Sequence, residues 1–144
     1  MTNLKEIVTF LEKVTFFQGL KKRQLENLGR RMVNRTYRKG DAIVVQGQGG
    51  EGFFIVTSGK AEAVRRRADG EDLVVNEFGP GDFFGELALL DDGPRTATIT
   101  AVEETNCLVL VRWDFLAILR EDADMAVEVL LELARRFRST LDSM

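Results

Sequence analysis

Histidine is absent from this 144-residue chain, and cysteine occurs once, at Cys107. Zinc, copper and haem sites are built largely from these two residue types, and hydrolytic triads need a histidine base. Both chemistries are therefore excluded within these residues. A single thiol cannot form an internal disulfide, which fits a cytoplasmic setting. In the run Asn106 to Val111 it reads as a small buried apolar residue, with nothing nearby to lower its pKa. There is no basic excess either. With 20 Lys and Arg against 23 Asp and Glu, the net charge is -3, so the electrostatic footprint of a nucleic-acid binder is missing. No apolar run reaches membrane-spanning length, and Lys5, Glu6, Glu12 and Lys13 interrupt the apolar segment that a signal peptide requires. The two prolines, Pro80 and Pro94, each lie next to glycine and mark sharp corners. What remains is 44% apolar and 30% charged, the composition of a soluble globular protein, and its length suits one domain over 1–144.

The informative stretch runs from Phe83 to Ala101. It places Gly85 before a short apolar helical turn, Glu86 to Leu90, then a Gly93-Pro94 break, Arg95, and a strand where Thr96, Thr98 and Thr100 alternate with Ala97, Ile99 and Ala101. This order describes an anion site. Gly85 permits a tight turn and close approach, and the backbone N–H groups of Gly85, Leu87 and Ala88 would be presented near the positive end of the helix dipole. Pro94 ends the turn, and Arg95 can fold back with a fork that matches two phosphate oxygens. A carboxylate beside a phosphate needs its own explanation. Glu86 can only accept hydrogen bonds, and a ribose 2'-hydroxyl can donate one, so the pair Glu86 and Arg95 points to a nucleotide.

At Phe84, Gly85, Glu86, Leu87, Ala88, Pro94, Arg95, Thr96 and Ala97 the chain resembles the phosphate-binding cassette of the cyclic nucleotide-binding domain family. That family's pattern is Phe-Gly-Glu-(Leu)-(Ala), a short insert, then (Pro)-Arg-(Thr/Ser/Ala)-Ala, and here the insert length also agrees. The resemblance implies a mainly β fold with flanking helices. Its parts would be N-terminal helices over 1–30, an eight-stranded, jelly-roll-like β-roll over 31–111 with a short phosphate-binding helix, and C-terminal helices over 112–144. It implies a ligand, cAMP or cGMP, with no metal or other cofactor and no catalysis. Arg95 would pair with the cyclic phosphate, Glu86 with the ribose, and Thr96 would add a hydroxyl or backbone N–H. Thr at this position occurs in binders of both nucleotides; cAMP is favoured here.

The rest of the chain reads in support. Leu4, Ile7, Val8 and Leu11 recur at helical spacing, Phe16, Phe17 and Leu20 form an apolar corner, and Leu25 and Leu28 continue in a second short helix. Eleven of the thirteen glycines fall between Arg31 and Val111 and punctuate β-branched and aromatic runs. Strands are expected at 33–37, 42–45, 53–58, 60–66, 73–78, 95–102 and 106–111, with a hairpin turn at Asp69-Gly70. The missing histidines exclude a metal-dependent cupin among the folds such strands can build. Arg65-Arg66-Arg67 reads as a solvated hairpin tip or a contact for an acidic partner, and Asp91-Asp92 as a solvated turn. After Trp113, Asp114 is expected to cap a short helix, and Asp122 or Asp124 to start the last one.

Along the last helix Val127, Leu130, Ala134, Phe137 and Leu141 share a face that Val129, Leu131 and Leu133 broaden, so more than one partner is needed. Bacterial regulators of the cyclic-AMP receptor protein type supply the second partner from another subunit, which implies a homodimer. Aligned at Ala134 to Thr140, the same resemblance offers Thr140 as a base contact, whereas periodicity alone makes it a surface residue. A helix-turn-helix domain does not follow before Met144, so a regulatory fragment of a longer protein stands beside an autonomous sensor. A third reading is a ligand-free interaction module of the same fold.

Overall fold

The computed structural model describes residues 3–49, 52–91 and 93–144. Gly50, one of the turn glycines, and Asp92, half of the Asp91-Asp92 pair, lie outside the described residues. Two compact units are present, Met32–Arg112 and a helical one made of Met1–Arg31 with Trp113–Met144.

The first unit is built of antiparallel strands: β1 (Val33–Tyr37), β2 (Ala42–Val44), β3 (Gly52–Ser58), β4 (Ala61–Arg66), β5 (Asp72–Phe78), β6 (Phe83–Phe84), β7 (Thr98–Ala101) and β8 (Thr105–Val111). They form two four-stranded sheets in the orders β1-β8-β3-β6 and β2-β7-β4-β5. This is the eight-stranded β-roll. The inward set, including Val44, Phe54, Val56, Ala63, Phe78, Phe84, Ile99 and Val109, comes from seven of these strands and makes one buried cluster. Cys107 lies in that cluster, and burial pushes its thiol pKa up to about 12, which keeps it an inert apolar residue. Phe84 carries more than its area, because its ring stacks on Phe54 at 5.0 Å and tilts against Phe78 at 5.0 Å. Since Gly85 follows directly, this aromatic anchor fixes where the cassette begins.

Two strand expectations change. The two-residue β6 adds a strand that the sequence does not signal, being too short to show alternation. The strand expected over 95–102 is confined to Thr98–Ala101. The reason is local: the Arg95 N–H donates to the Gln48 carbonyl at 2.8 Å, and the Arg95 carbonyl accepts from Gly47 at 2.9 Å. That segment is held by a loop rather than by a ladder.

The helical unit contains α1 (Leu4–Glu12), a 3-10 turn (Thr15–Phe17), α2 (Lys22–Arg31), α3 (Arg112–Glu121, whose first residue belongs to the other unit) and α4 (Ala123–Asp142). Asn3 caps α1 through its side chain. Phe16, Phe17 and Phe115 meet at centroid distances of 5.6 to 6.5 Å and are fully buried. Asp114 does not cap α3. The helix begins earlier, at Arg112, which puts Asp114 in its first turn, where it pairs with Arg31 at 3.6 Å. Among the described residues no helix is long and apolar enough to cross a membrane.

Asp122 does cap α4: its carboxylate accepts from the Met125 N–H at 3.0 Å and from the Gln24 amide at 3.3 Å, with Arg23 3.9 Å away. The Met125 bond, with smaller help from Gln24 and Arg23, holds its pKa below the ordinary carboxylate value against the opposing effect of burial. Folding thus lowers this pKa. The cap's stabilisation is complete above the unfolded value of about 3.9 and is lost as the pH falls through the lower folded value. Asp122→Ala should lower the melting temperature at pH 7, and the gap from the parent should shrink in melts recorded near pH 3. An unchanged gap would mean that the carboxylate does not act as the cap.

Candidate functional site

Gly85 is the N-cap of a 3-10 turn, Glu86–Leu89, and adopts φ 86°, ψ 17°, a left-handed backbone that suits glycine. A side chain there would also collide, since a Cβ would lie 2.6 Å from the Gly52 carbonyl oxygen and 2.7 Å from Arg95 Nη1. The sequence expected a helical turn through Leu90. The observed turn ends one residue earlier, and its first bond runs from the Ala88 N–H to the Gly85 carbonyl at 3.0 Å. Ala88, expected to donate to a phosphate, therefore already donates within the turn. The N–H groups of Glu86 and Leu87 precede that first bond, at the end where the dipole is positive.

Arg95 comes back across this turn. Its backbone is tied on both sides to Gly47 and Gln48, and its Nη2 donates to the Gly52 carbonyl at 2.8 Å. The guanidinium is thereby held beside Gly85 in a fixed orientation. Strand β7 is fixed just beyond it, since Thr98 Oγ1 accepts from the Gln46 N–H at 2.9 Å.

Gly85, Glu86, Leu87, Ala88, Arg95, Thr96 and Ala97 line one open cavity of about 620 Å³. That lies within the usual 300–1,000 Å³ of small-molecule sites. Its apolar floor is made by Val44, Ala63, Phe78, Phe84 and Ile99, and β5 adds Val75 and Asn76. Glu86 and Arg95 are half-buried, while Leu87 is exposed at 55%. The arrangement offers an apolar slot for a flat ring, a guanidinium and backbone donors for an anion, and a carboxylate acceptor lining the same cavity.

Thr140 is not among the cavity residues. It lies on α4, exposed, and its hydroxyl donates to the Arg136 carbonyl one turn back at 3.0 Å. Asp91, read as part of a solvated turn, accepts from the Gly93 N–H at 2.7 Å and also lines the cavity. Arg65 and Asn76 were missed as site residues. Alternation from Ala63 puts Arg65 on the inward face, and the register pairs Ala63 with Asn76. The alternation was visible in the sequence, but the pairing was not. Among the described residues no group of three or more potential metal ligands converges.

Known proteins are similar to this chain in sequence and fold. The cyclic AMP receptor protein of Thermus thermophilus is 37% identical over 122 residues, covering 85% of this chain and 56% of that protein. The chain thus spans little more than half the length of that relative. The crystal structure of the N-terminal domain of a transcriptional regulator from Streptomyces coelicolor A3(2) matches with a TM-score of 0.86 and 35% identity over 94% of this chain and 96% of that one. The regulatory domain of Toxoplasma gondii PKA, crystallised with cAMP, matches with a TM-score of 0.72 and 26% identity over 92% of this chain and 49% of that one. A family model for the cyclic nucleotide-binding domain matches residues 34–122, more than half of the sequence. The cassette, the β-roll and these matches agree, and the chain belongs to the cyclic nucleotide-binding domain family.

Proposed function

We propose that this chain binds a 3',5'-cyclic nucleotide reversibly, cAMP in preference to cGMP, and serves as a non-enzymatic regulatory sensor in the cytoplasm, its 144 residues acting as one domain. The observation that carries this reading is the meeting of the Arg95 guanidinium and the Gly85 turn in one cavity with Glu86. In it Arg95 and the N–H groups of the turn take the cyclic phosphate, Glu86 accepts from the ribose 2'-hydroxyl, and the apolar floor takes the purine. The preference for cAMP is supported by what the Thermus and Toxoplasma relatives are named or crystallised for.

Thermal unfolding with each nucleotide tests the reading. At a hundredfold excess over Kd a true ligand stabilises by about 2.7 kcal/mol, so the melting temperature should rise with cAMP and less with cGMP at equal concentration. No rise with either nucleotide removes the function; a larger rise with cGMP reverses the preference.

Signal output is assigned to α4, with Thr140 as a base contact when ligand is present. A ligand moves such a helix only by its differential affinity for two positions. Val127, Leu130, Phe137 and Leu141 are 51 to 66% exposed and fall at the 3-4-3-4 spacing, closed by exposed Ala134, of a coiled-coil seam. This uncovered stripe supports a homodimer through α4, to be checked by sedimentation with ligand; a monomer at every concentration excludes it. A second reading, the sensor portion of a transcription regulator, is favoured by the share of the Thermus protein that this chain spans.

A further inference from the structure

Three consecutive arginines close β4 and enter the hairpin, and the fold gives them different surroundings. Arg66 Nε meets Asp72 Oδ1 across the strand pair at 3.4 Å, and Arg67 Nε lies 3.8 Å from Asp69 Oδ2. Both are surface ion pairs of the hairpin. Arg65 shares the inward face with Ala63, lines the nucleotide cavity, and its Nε donates to the Thr96 carbonyl at 3.3 Å. Thr96 directly follows Arg95, so this bond ties β4 to the end of the cassette that carries the anion-binding guanidinium.

The charges around the cavity give Arg65 a further role. Among the described residues, the ionisable side chains lining it are Arg65, Glu86, Asp91 and Arg95. A cyclic phosphate adds one negative charge. Among these groups, Arg95 alone would face two carboxylates and an anion without Arg65; with it, two cations face three negative charges. An arginine carries five N–H donors, and the bond to Thr96 uses one.

We propose that Arg65 is a ligand-binding residue of this cavity, a second cation that offsets the carboxylates and holds Thr96 in place. The proposal rests on the cyclic nucleotide reading. Because Arg65 is exposed, its contribution is that of a partly screened charge. Calorimetric titration of the purified chain with cAMP and cGMP should show Arg65→Gln weakening the tighter of the two by about three- to fivefold. Arg65→Lys should stay within about twofold of the parent at low salt, and Arg66→Gln should bind like the parent. The gap between parent and Arg65→Gln should narrow as ionic strength rises.

Equal loss in Arg65→Lys and Arg65→Gln overturns the charge assignment and leaves only a structural hydrogen bond. Parent-like affinity in Arg65→Gln overturns the proposal outright while the cyclic nucleotide reading stands. A parent that binds neither nucleotide overturns that reading, and this assignment with it. Melting curves of the unliganded variants should coincide with the parent, which separates ligand binding from folding.

Discussion

Arg95→Ala should weaken cyclic nucleotide binding by roughly ten- to a hundredfold. A hydrogen bond to a charged group contributes about 1.5–3 kcal/mol, and each 1.4 kcal/mol is about tenfold in affinity. The structure supports this expectation by lining the cavity with Arg95 beside the Gly85 turn. The Arg95 backbone is fixed by Gly47 and Gln48, and Nη2 is fixed by the Gly52 carbonyl. The fork is thus held beside Gly85, and a side chain already held has less entropy to lose on binding.

Arg95→Lys keeps the charge but not the planar pair of donors, and should fall between parent and alanine. Isothermal titration of the three proteins with cAMP is the measurement. Binding by Arg95→Ala within about twofold of the parent would place the phosphate elsewhere and undo the assignment of the cassette. The alanine variant also loses the bond to Gly52, so its melting temperature should be recorded alongside, and a folded protein with lost affinity is the expected result.

Gly85→Ala is the second large effect, and it acts on stability and binding together. A non-glycine residue in the left-handed region costs on the order of 1–3 kcal/mol. Here the new Cβ would also press on the Gly52 carbonyl oxygen and on Arg95 Nη1. Relief requires the turn Glu86–Leu89 to move away from Arg95, the displacement that a phosphate site tolerates least. The expected outcome is a melting temperature several degrees lower and affinity reduced by more than tenfold. Gly79→Ala is the matched control. It lies at a corner of the same unit with nothing within 4 Å of its added Cβ, so it should leave both quantities near the parent's. Parent-like binding by Gly85→Ala would show that the close approach of turn and guanidinium is not what the ligand uses.

The two expectations differ in what carries them. Loss at Arg95 removes a charge and its donors, whereas loss at Gly85 leaves every polar group in the chain and alters only where the backbone can go. If both variants lose affinity while only Gly85→Ala loses stability beyond the Gly52 contact, chemistry and geometry have been separated at one site.

Much of this site was legible before any coordinates. The cassette is contiguous, and its properties are local. Gly85 can adopt a positive φ because it lacks a Cβ, and Glu86 and Arg95 bring their charges wherever they are placed; the turn, however, closes at Leu89, well before Pro94. The same holds for the start of α4 at Asp122 or Asp124, the apolar stripe of α4 and the alternation of β7, each set by residues within a few positions of one another.

Other features depended on segments distant in sequence, and only the tertiary structure decided them. Which of Arg65, Arg66 and Arg67 faces the cavity follows from the register of β4 against β5, and a slip of one residue would exchange their faces. That the strand after the cassette starts at Thr98 rather than Arg95 follows from the loop at Gly47 and Gln48. That the Ala88 N–H turns back to Gly85 follows from the tighter 3-10 closure of the turn. Short-range covalent geometry writes the chemistry into neighbouring residues, whereas long-range pairing chooses which of those residues look at one another.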